Sequence, residues 1–499
     1  MSVTPQPTST PDPGNLQGNL VGFNKDHVRL VFVTFPDELS GKAFVQGLVP
    51  QIATASDVLA FNALYKQVHD RGAATWTIEA TWVNIALTAA GLGMIGAAET
   101  ASLPPELTQG MAAQAASVGD VDDSAPANWL APFTPGTTAV HAMIIIASDD
   151  SDDLNDAYAT IEALIATTHV TELGHQDGNV RPDPNVGHEH FGFKDGISQP
   201  GIAGVTEPSK TGTDTVATGE FVIGYPDSDG NISGQATPPG PPPQEGQPGY
   251  PGPGTPGQPA LPDWATDGSF LVYRRLRQDV GGFNQSMGTL AQQAALNSDQ
   301  MAAKLVGRWP SGAPMEPVPT LPPGVDPSRA DPAPTTPAVL GDDQINAFDY
   351  SSDADGHAVP RAAHIRKMNP RASTPPGPPE TSRHRLLRRG IPYGPDFQPT
   401  EPPYSQGPIN DDRDRGLLFL CYQASISRGF MFVQQSWSNS PDFPQAGDGV
   451  DPIISQATDQ RPFTLPPQNV HLTMARWVTT VGGEFFFAPS IPALKQLSS

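Results

Sequence analysis

The chain has 499 residues, enough for two or three domains of ordinary size, and apolar residues make up 37% of it. Its 52 acidic side chains outnumber the 28 basic ones, giving a net charge of -24. A field of that sign repels phosphate backbones and anionic lipid, so neither nucleic acid nor a membrane is an expected partner. The single cysteine, Cys421, rules out an intrachain disulfide and a thiolate metal cluster. Sitting in the apolar run 417–422, it reads as a small buried hydrophobe. No stretch is apolar over the length of a membrane span. The opening MSVTPQPTSTPDPGNLQGNL has neither the basic nor the apolar region of a secretory signal. The chain is therefore expected inside the cell, with a secreted mature form left open.

In chain order, residues 1–14 read as a disordered tail and 15–232 as a first structural half. VRLVFVTF at 28–35 is rich in β-formers, helical patterns follow at 38–49 and 56–67, and 76–82 alternates as a strand does. The run 139–147 (AVHAMIIIA) predicts a buried strand, 152–167 a helix with an acidic first turn, and 169–173 a strand. From 233 to 265 proline and glycine dominate, which favours extended or disordered chain and marks an insertion or linker. Smaller proline-rich patches lie at 310–337 and 375–379. In the second half, 266–499, strands are predicted at 269–275, 417–424 and 484–488, with helical stretches at 287–296, 299–306 and near 428–436. Two similar halves of interleaved strands and helices suggest an α+β protein of tandem ferredoxin-like units.

Four segments stand out chemically. HFGFKDGISQPGI (190–202) sets Asp195 between Gly192 and Gly196, where glycines allow tight turns and close approach of a bulky group. Read alone, it is an ordinary Asp-capped turn. AAHIRKMNPR (362–371) places His364 beside Arg366, Lys367 and Arg371, a cationic cluster in an acidic protein. An imidazole there can bind iron, and guanidiniums can pair with carboxylates. RHRLLRRGIPYGP (383–395) is a cationic run that by itself reads as a solvated strand edge, and RGLLFLCYQASISRGFMFVQQSW (415–437) as core strand followed by helix.

Taken together, these segments resemble the dye-decolorising peroxidases, most closely the fungal-type class. GFKDG is similar to that family's GxxDG motif, HIRKMNPR to its proximal histidine segment and LLRRGIPYGP to its distal arginine segment. NLQGNLVGF (15–23) and NIALTAAGLGMIG (84–96) also fit, in family order from about residue 15 to 455. The resemblance implies a fold of the dimeric α+β barrel type with a haem pocket in the carboxy-terminal half. It implies haem b (iron protoporphyrin IX) held by His364, with Asp195 as distal acid–base group and Arg388, the first of the pair before Gly390, as its cationic partner. Leu417 and Phe419 would shape the distal pocket, Asp451 would accept the proximal imidazole's proton, and Arg366 would pair with a propionate. Tyr393 and Trp437 match positions that pass oxidising equivalents to the surface. The implied partners are hydrogen peroxide and dye, phenolic or other aromatic reductants, with a homodimer as one arrangement to consider. Because a carboxylate does the distal work, activity is expected to favour acid. Asp349 and Asp396 near Tyr393 raise manganese oxidation as an addition. Two competing readings are a haem-binding or iron-handling protein with incidental peroxide activity, and a proline-rich interaction scaffold.

Overall fold

β-branched residues on alternating sides make His27–Thr34 (β1) the centre of the first half. The computed structural model describes residues 10–22, 25–71, 78–208, 213–236, 259–317, 324–332, 345–371, 381–397, 413–457 and 461–499. Outside them lie residues 1–9 of the expected tail, Phe23, the start of the strand expected at 76–82, and 237–258 of the proline-rich insertion. The proline-rich stretches 318–323, 333–337 and 375–379 fall outside as well.

β1 pairs antiparallel with Ala142–Ser148 (β3) and Thr171–Asn179 (β4), and β3 pairs with Thr81–Leu87 (β2), giving the order β4-β1-β3-β2. Helices Glu38–Leu48 and Ala55–Asp70 connect β1 to β2, and Ser151–Thr168 connects β3 to β4. Asp37 and Asp150 cap two of these by accepting backbone N–H groups of their first turns, which is what the acidic starts encode. Two small strands follow, Gly201–Ile202 (β5) and Thr215–Val216 (β6), paired parallel.

The second half repeats the plan. Ser269–Gln278 (β7) pairs with Gly416–Gln423 (β10) and Val478–Ala488 (β13), and β10 also carries the short strands Leu387–Arg388 (β8) and Ile391–Tyr393 (β9). The order β13-β7-β10-β8 is that of the first half, and a hairpin of Pro462–Leu465 (β11) and Val470–Thr473 (β12) lies apart. The halves join where Phe487 of β13 pairs with Leu87 of β2. At the far seam β4 packs on β9: a methyl group on Gly178 would sit 2.4 Å from Ile391 Cγ2, so only glycine lets these strands approach.

Alternation gives this sheet two apolar faces. Leu30, Phe32, Tyr273, Leu420, Tyr422 and Phe486 fill the barrel interior. On the outer face of the first half, Val31 and Ile144 are covered directly by Phe44, Val45, Leu154 and Ile161 of the helices. On the outer face of the second half, Arg274, Leu276 and Gln278 of β7 and Leu417 and Phe419 of β10 face a cavity.

Most expected elements are present, with instructive differences. The helix expected from 287 starts at Val280, because Asp279 caps it by accepting from Gly282 N; Gly281 and Gly282 had masked that turn in the sequence. The helical stretch near 428–436 forms two π-helical segments, Ser427–Met431 and Val433–Ser438. Trp264, within the segment assigned to the insertion, is buried edge-on against Phe487 and donates to Ala98 O. Among the described residues no helix is long and apolar enough to cross a membrane.

One buried group makes this fold pH-sensitive. Glu484 on β13 accepts from Met111 N and Phe485 N, yet burial pushes its carboxyl up to about 6. A raised carboxyl favours the protonated folded state, so its contribution is complete in acid and lost as the pH rises from the unfolded value through 6. Urea melts of Glu484→Gln at pH 5 and 7 should show the variant losing about 1 kcal/mol less between the two pH values than the parent; equal losses would refute this.

Candidate active site

Four backbone segments converge over the outer face of β7 and β10: the loop 189–200, the helix His364–Met368, the run 384–388, and the π-helical turns after β10. They enclose a cavity whose empty volume, counting its open mouth, is about 1800 Å³. Leu276, Leu417, Phe419, Phe430 and Val433 supply apolar wall, and Arg308, Arg371, Arg385 and Arg388 supply cations. The site belongs to the carboxy-terminal half, but the loop bearing Asp195 comes from the first.

His364 opens its helix and lines the cavity. Its Nδ1 lies 2.8 Å from Asp451 Oδ2, while Asp451 Oδ1 accepts from Ile453 N and Ile454 N at 2.8 and 2.9 Å. A carboxylate so held is an acceptor, so the imidazole proton sits on Nδ1 and Nε2 keeps its lone pair. Burial alone would lower the His364 pKa, but the charge and hydrogen bond of Asp451 raise it. Burial likewise opposes ionisation of Asp451, and His364 with the two backbone N–H groups holds its carboxyl below the ordinary value.

From another wall come Asp195 and Arg388. Gly192 and Gly196 adopt φ of +93° and +70°, which a side chain would resist. Asp195 N donates to Gly187 O at 2.9 Å and Lys194 N to Pro310 O at 3.1 Å, tying the loop down. Glu189, on the cavity wall, accepts from Phe191 N and Phe193 N and fixes the approach to Asp195. Asp195 Oδ1 accepts from Gly196 N at 2.6 Å and lies 3.5 Å from Arg388 Nη1; both side chains are about one-third exposed, at 37% and 35%. Arg388 Nη2 donates to Ser198 O at 3.0 Å. Asp195, Arg388 and His364 line the same cavity, so the two clusters face one space.

Three expectations need correction. Arg366 does not line the cavity: it is fully buried behind it, donating to Asp353 O and Val359 O and stacking over Tyr350 at 4.6 Å. Two residues after His364 on a helix, it points to the opposite side, so Arg308, Arg371 and Arg385 take its place at the cavity. Tyr393 and Trp437 are not at the surface, each being 2% exposed. Tyr393 donates to Asp414 Oδ1 at 3.2 Å beneath the Arg275 guanidinium. Trp437 stacks on Phe443 (5.2 Å) and meets edge-on the ring of His384, a cavity residue (5.3 Å). Asp349 and Asp396 do not join at Tyr393 either. Asp396 binds Arg181 and Asn185, Asp349 accepts from Ser351 N, and no three metal-binding side chains cluster among the described residues.

Sequence reasoning missed Glu189, Gln278, Arg308 and Arg385. Only Arg385 lay in a segment already singled out, and Glu189 falls one residue before another. The basic run 383–395 is no solvated edge: Arg385 is buried and donates to Asp214 Oδ2 at 2.8 Å.

A two-half α+β barrel with a carboxylate-paired imidazole in an apolar, arginine-edged cavity is a protein built to hold a metal-centred cofactor. Sequence profiles of two families match it, "DyP dimeric alpha+beta barrel domain" over residues 15–182 and "Dyp-type peroxidase, C-terminal" over 259–467. The dye-decolorizing peroxidase msp1 of Mycetinis scorodonius is 31% identical, the match covering 97% of this chain and 87% of that one. AauDyP1 of Auricularia auricula-judae is 32% identical over 96% of this chain and 86% of its own. A solved dye-decolorizing peroxidase in complex with 2,6-dimethoxyphenol superposes with a TM-score of 0.77 and 30% identity, covering 98% of this chain and 100% of that one. The chain belongs to the dye-decolorising peroxidase family, of the fungal type, and is a haem-dependent peroxidase.

The cavity residues fit that cofactor. His364 presents a free Nε2 with its proton fixed on the far nitrogen, the walls suit a flat apolar ring, and arginines at the cavity suit its carboxylates.

Proposed function

We propose that His364 Nε2 would hold haem b, that Asp195 and Arg388 act on hydrogen peroxide in the same cavity, and that aromatic compounds are the reductants. The observation that carries this reading is the meeting of the His364–Asp451 and Asp195–Arg388 pairs on one cavity. When bound, haem would supply the redox capacity for peroxide reduction and for single-electron oxidations. The chain supplies the proton chemistry. An Asp195 carboxylate oxygen would take a proton from one peroxide oxygen and return it to the other, so that water can leave as the O–O bond breaks, the two electrons being what the haem would supply. Arg388 stabilises negative charge on that departing oxygen, and its bond to Ser198 O aims the guanidinium in advance. Asp451 keeps the Nδ1 proton in place and so orients the imidazole. Leu417 and Phe419 keep the chamber apolar, which strengthens the electrostatics inside it.

Trp437, one ring behind the cavity, is the proposed relay for reductants too large to enter. Oxidation of a bulky anthraquinone dye by Trp437→Phe should fall at least about 5-fold, while 2,6-dimethoxyphenol turnover changes less than about 2-fold. Equal effects on both substrates would remove Trp437 from the pathway.

The test of the main reading is the purified protein's absorption spectrum on adding one equivalent of peroxide, followed by 2,6-dimethoxyphenol. The expected result is a fast spectral change that the phenol reverses. A haem protein indifferent to peroxide would favour the iron-handling alternative, and a protein that cannot take up haem would favour the scaffold.

A further inference from the structure

The distal arginine is followed by a second, Arg389, and the amino-terminal motif NLQGNL has so far had no role. The two meet. Arg388 and Arg389 point to opposite faces of the sheet, Arg388 to the cavity and Arg389 to the barrel interior. Arg389 Nε donates to Asn19 O and Nη2 to Leu20 O, both at 2.7 Å, while Nη1 donates to the carbonyl of Arg388 at 2.9 Å. Among the described residues no carboxylate pairs with it; its fork is spent on three main-chain oxygens.

Those oxygens are firmly held. Leu16, Gln17, Asn19 and Leu20 are each at most 1% exposed. Gln17 bonds Ile85 through both its amide atoms and also donates to Pro489 O, while Asn19 Nδ2 donates to the Tyr422 hydroxyl. The motif is thereby fastened to β2, to the end of β13 and to β10. Arg388 itself is anchored by its N–H on Gln199 Oε1 at 3.2 Å and by Nη2 on Ser198 O at 3.0 Å, both from the Asp195 loop rather than from the barrel. It ends β8, whose two residues Leu387 and Arg388 pair with Tyr422 and Cys421.

We propose that Arg389 is a positioning residue which, gripped by the carbonyls of Asn19 and Leu20, fixes the Arg388 peptide and aims its guanidinium at Asp195. The amino-terminal motif is on this account a working part of the peroxide site, although it lies on the other side of the sheet. The inference rests on the role given to Arg388 above, and a misplacement of about 1 Å there can cost up to about 100-fold in rate.

A double-mutant cycle on the haem-loaded full chain tests it, reading the second-order rate with peroxide, the resting haem spectrum and KM for 2,6-dimethoxyphenol. Arg389→Met should lower the peroxide rate about 10-fold to 100-fold, with spectrum and KM unchanged. In an Arg388→Ala background the same substitution should change the rate less than about 2-fold, because the group it aims is gone. A wild-type rate in Arg389→Met, or an equal loss in both backgrounds, overturns the proposal. Should Arg389→Met not accumulate with haem, Arg389→Lys and Gln17→Leu enter the same cycle, with smaller losses that also vanish without Arg388. If Arg388→Ala itself reacts at the wild-type rate, the reading of Arg388 fails, a result distinct from additivity.

Discussion

Replacing Asp195 with asparagine lowers the rate of reaction with peroxide by about 10²-fold to 10⁴-fold, the range for loss of a positioned acid–base group. Asparagine keeps the shape and an oxygen to accept from Gly196 N, so the loop with its two left-handed glycines stays as it is. What is lost is a site that can take a proton and give it back. Arg388 remains anchored on Ser198 O, so charge stabilisation persists and a residual rate survives. Stopped-flow mixing separates this from a folding defect, because the resting haem absorption should be that of the parent. Parent-like kinetics in Asp195→Asn would remove Asp195 from the mechanism.

The second large effect concerns cofactor retention. His364→Ala deletes the nitrogen proposed to bind iron, and haem should be lost to apomyoglobin far faster than from the parent. Asp451→Asn is subtler. Its one carbonyl oxygen can still accept from both Ile453 N and Ile454 N, but an NH2 group then faces His364 Nδ1 and no longer holds a proton there. Haem affinity should fall about 10-fold to 100-fold, the usual cost of removing the carboxylate behind a ligating histidine. Unchanged retention in both variants would mean that iron is bound elsewhere.

Much of this site was legible in the chain, for identifiable reasons. Asp195 stood out because two glycines flank it, and those glycines do adopt left-handed backbone. Leu417 and Phe419, implied at the pocket by the family resemblance, do line the cavity, because strand alternation sends them there and Leu418 and Leu420 inward. His364 and Asp451, 87 residues apart, meet as the family pattern suggests. Adjacency in sequence misled for Arg366, since on a helix residue i+2 faces away while Met368, at i+4, does line the cavity. Arg308 was invisible: it follows the helix Ser298–Val306, and its partners are carbonyls of Gly312 and Ile345 and the Asn346 side chain, contacts that no local pattern announces. The burial of Trp437 and Tyr393 depends in the same way on rings and charges supplied by other segments. β8 and β9 escaped because strands of two and three residues carry no periodicity.

The most direct test is crystallography of the haem-loaded protein with diffraction data at the iron edge. The account predicts a single strong iron peak at bonding distance from His364 Nε2, with the carboxylate of Asp195 and the guanidinium of Arg388 facing the other side of the porphyrin. Iron bound through any other side chain, or Asp195 and Arg388 on the same side of the ring as His364, would contradict it.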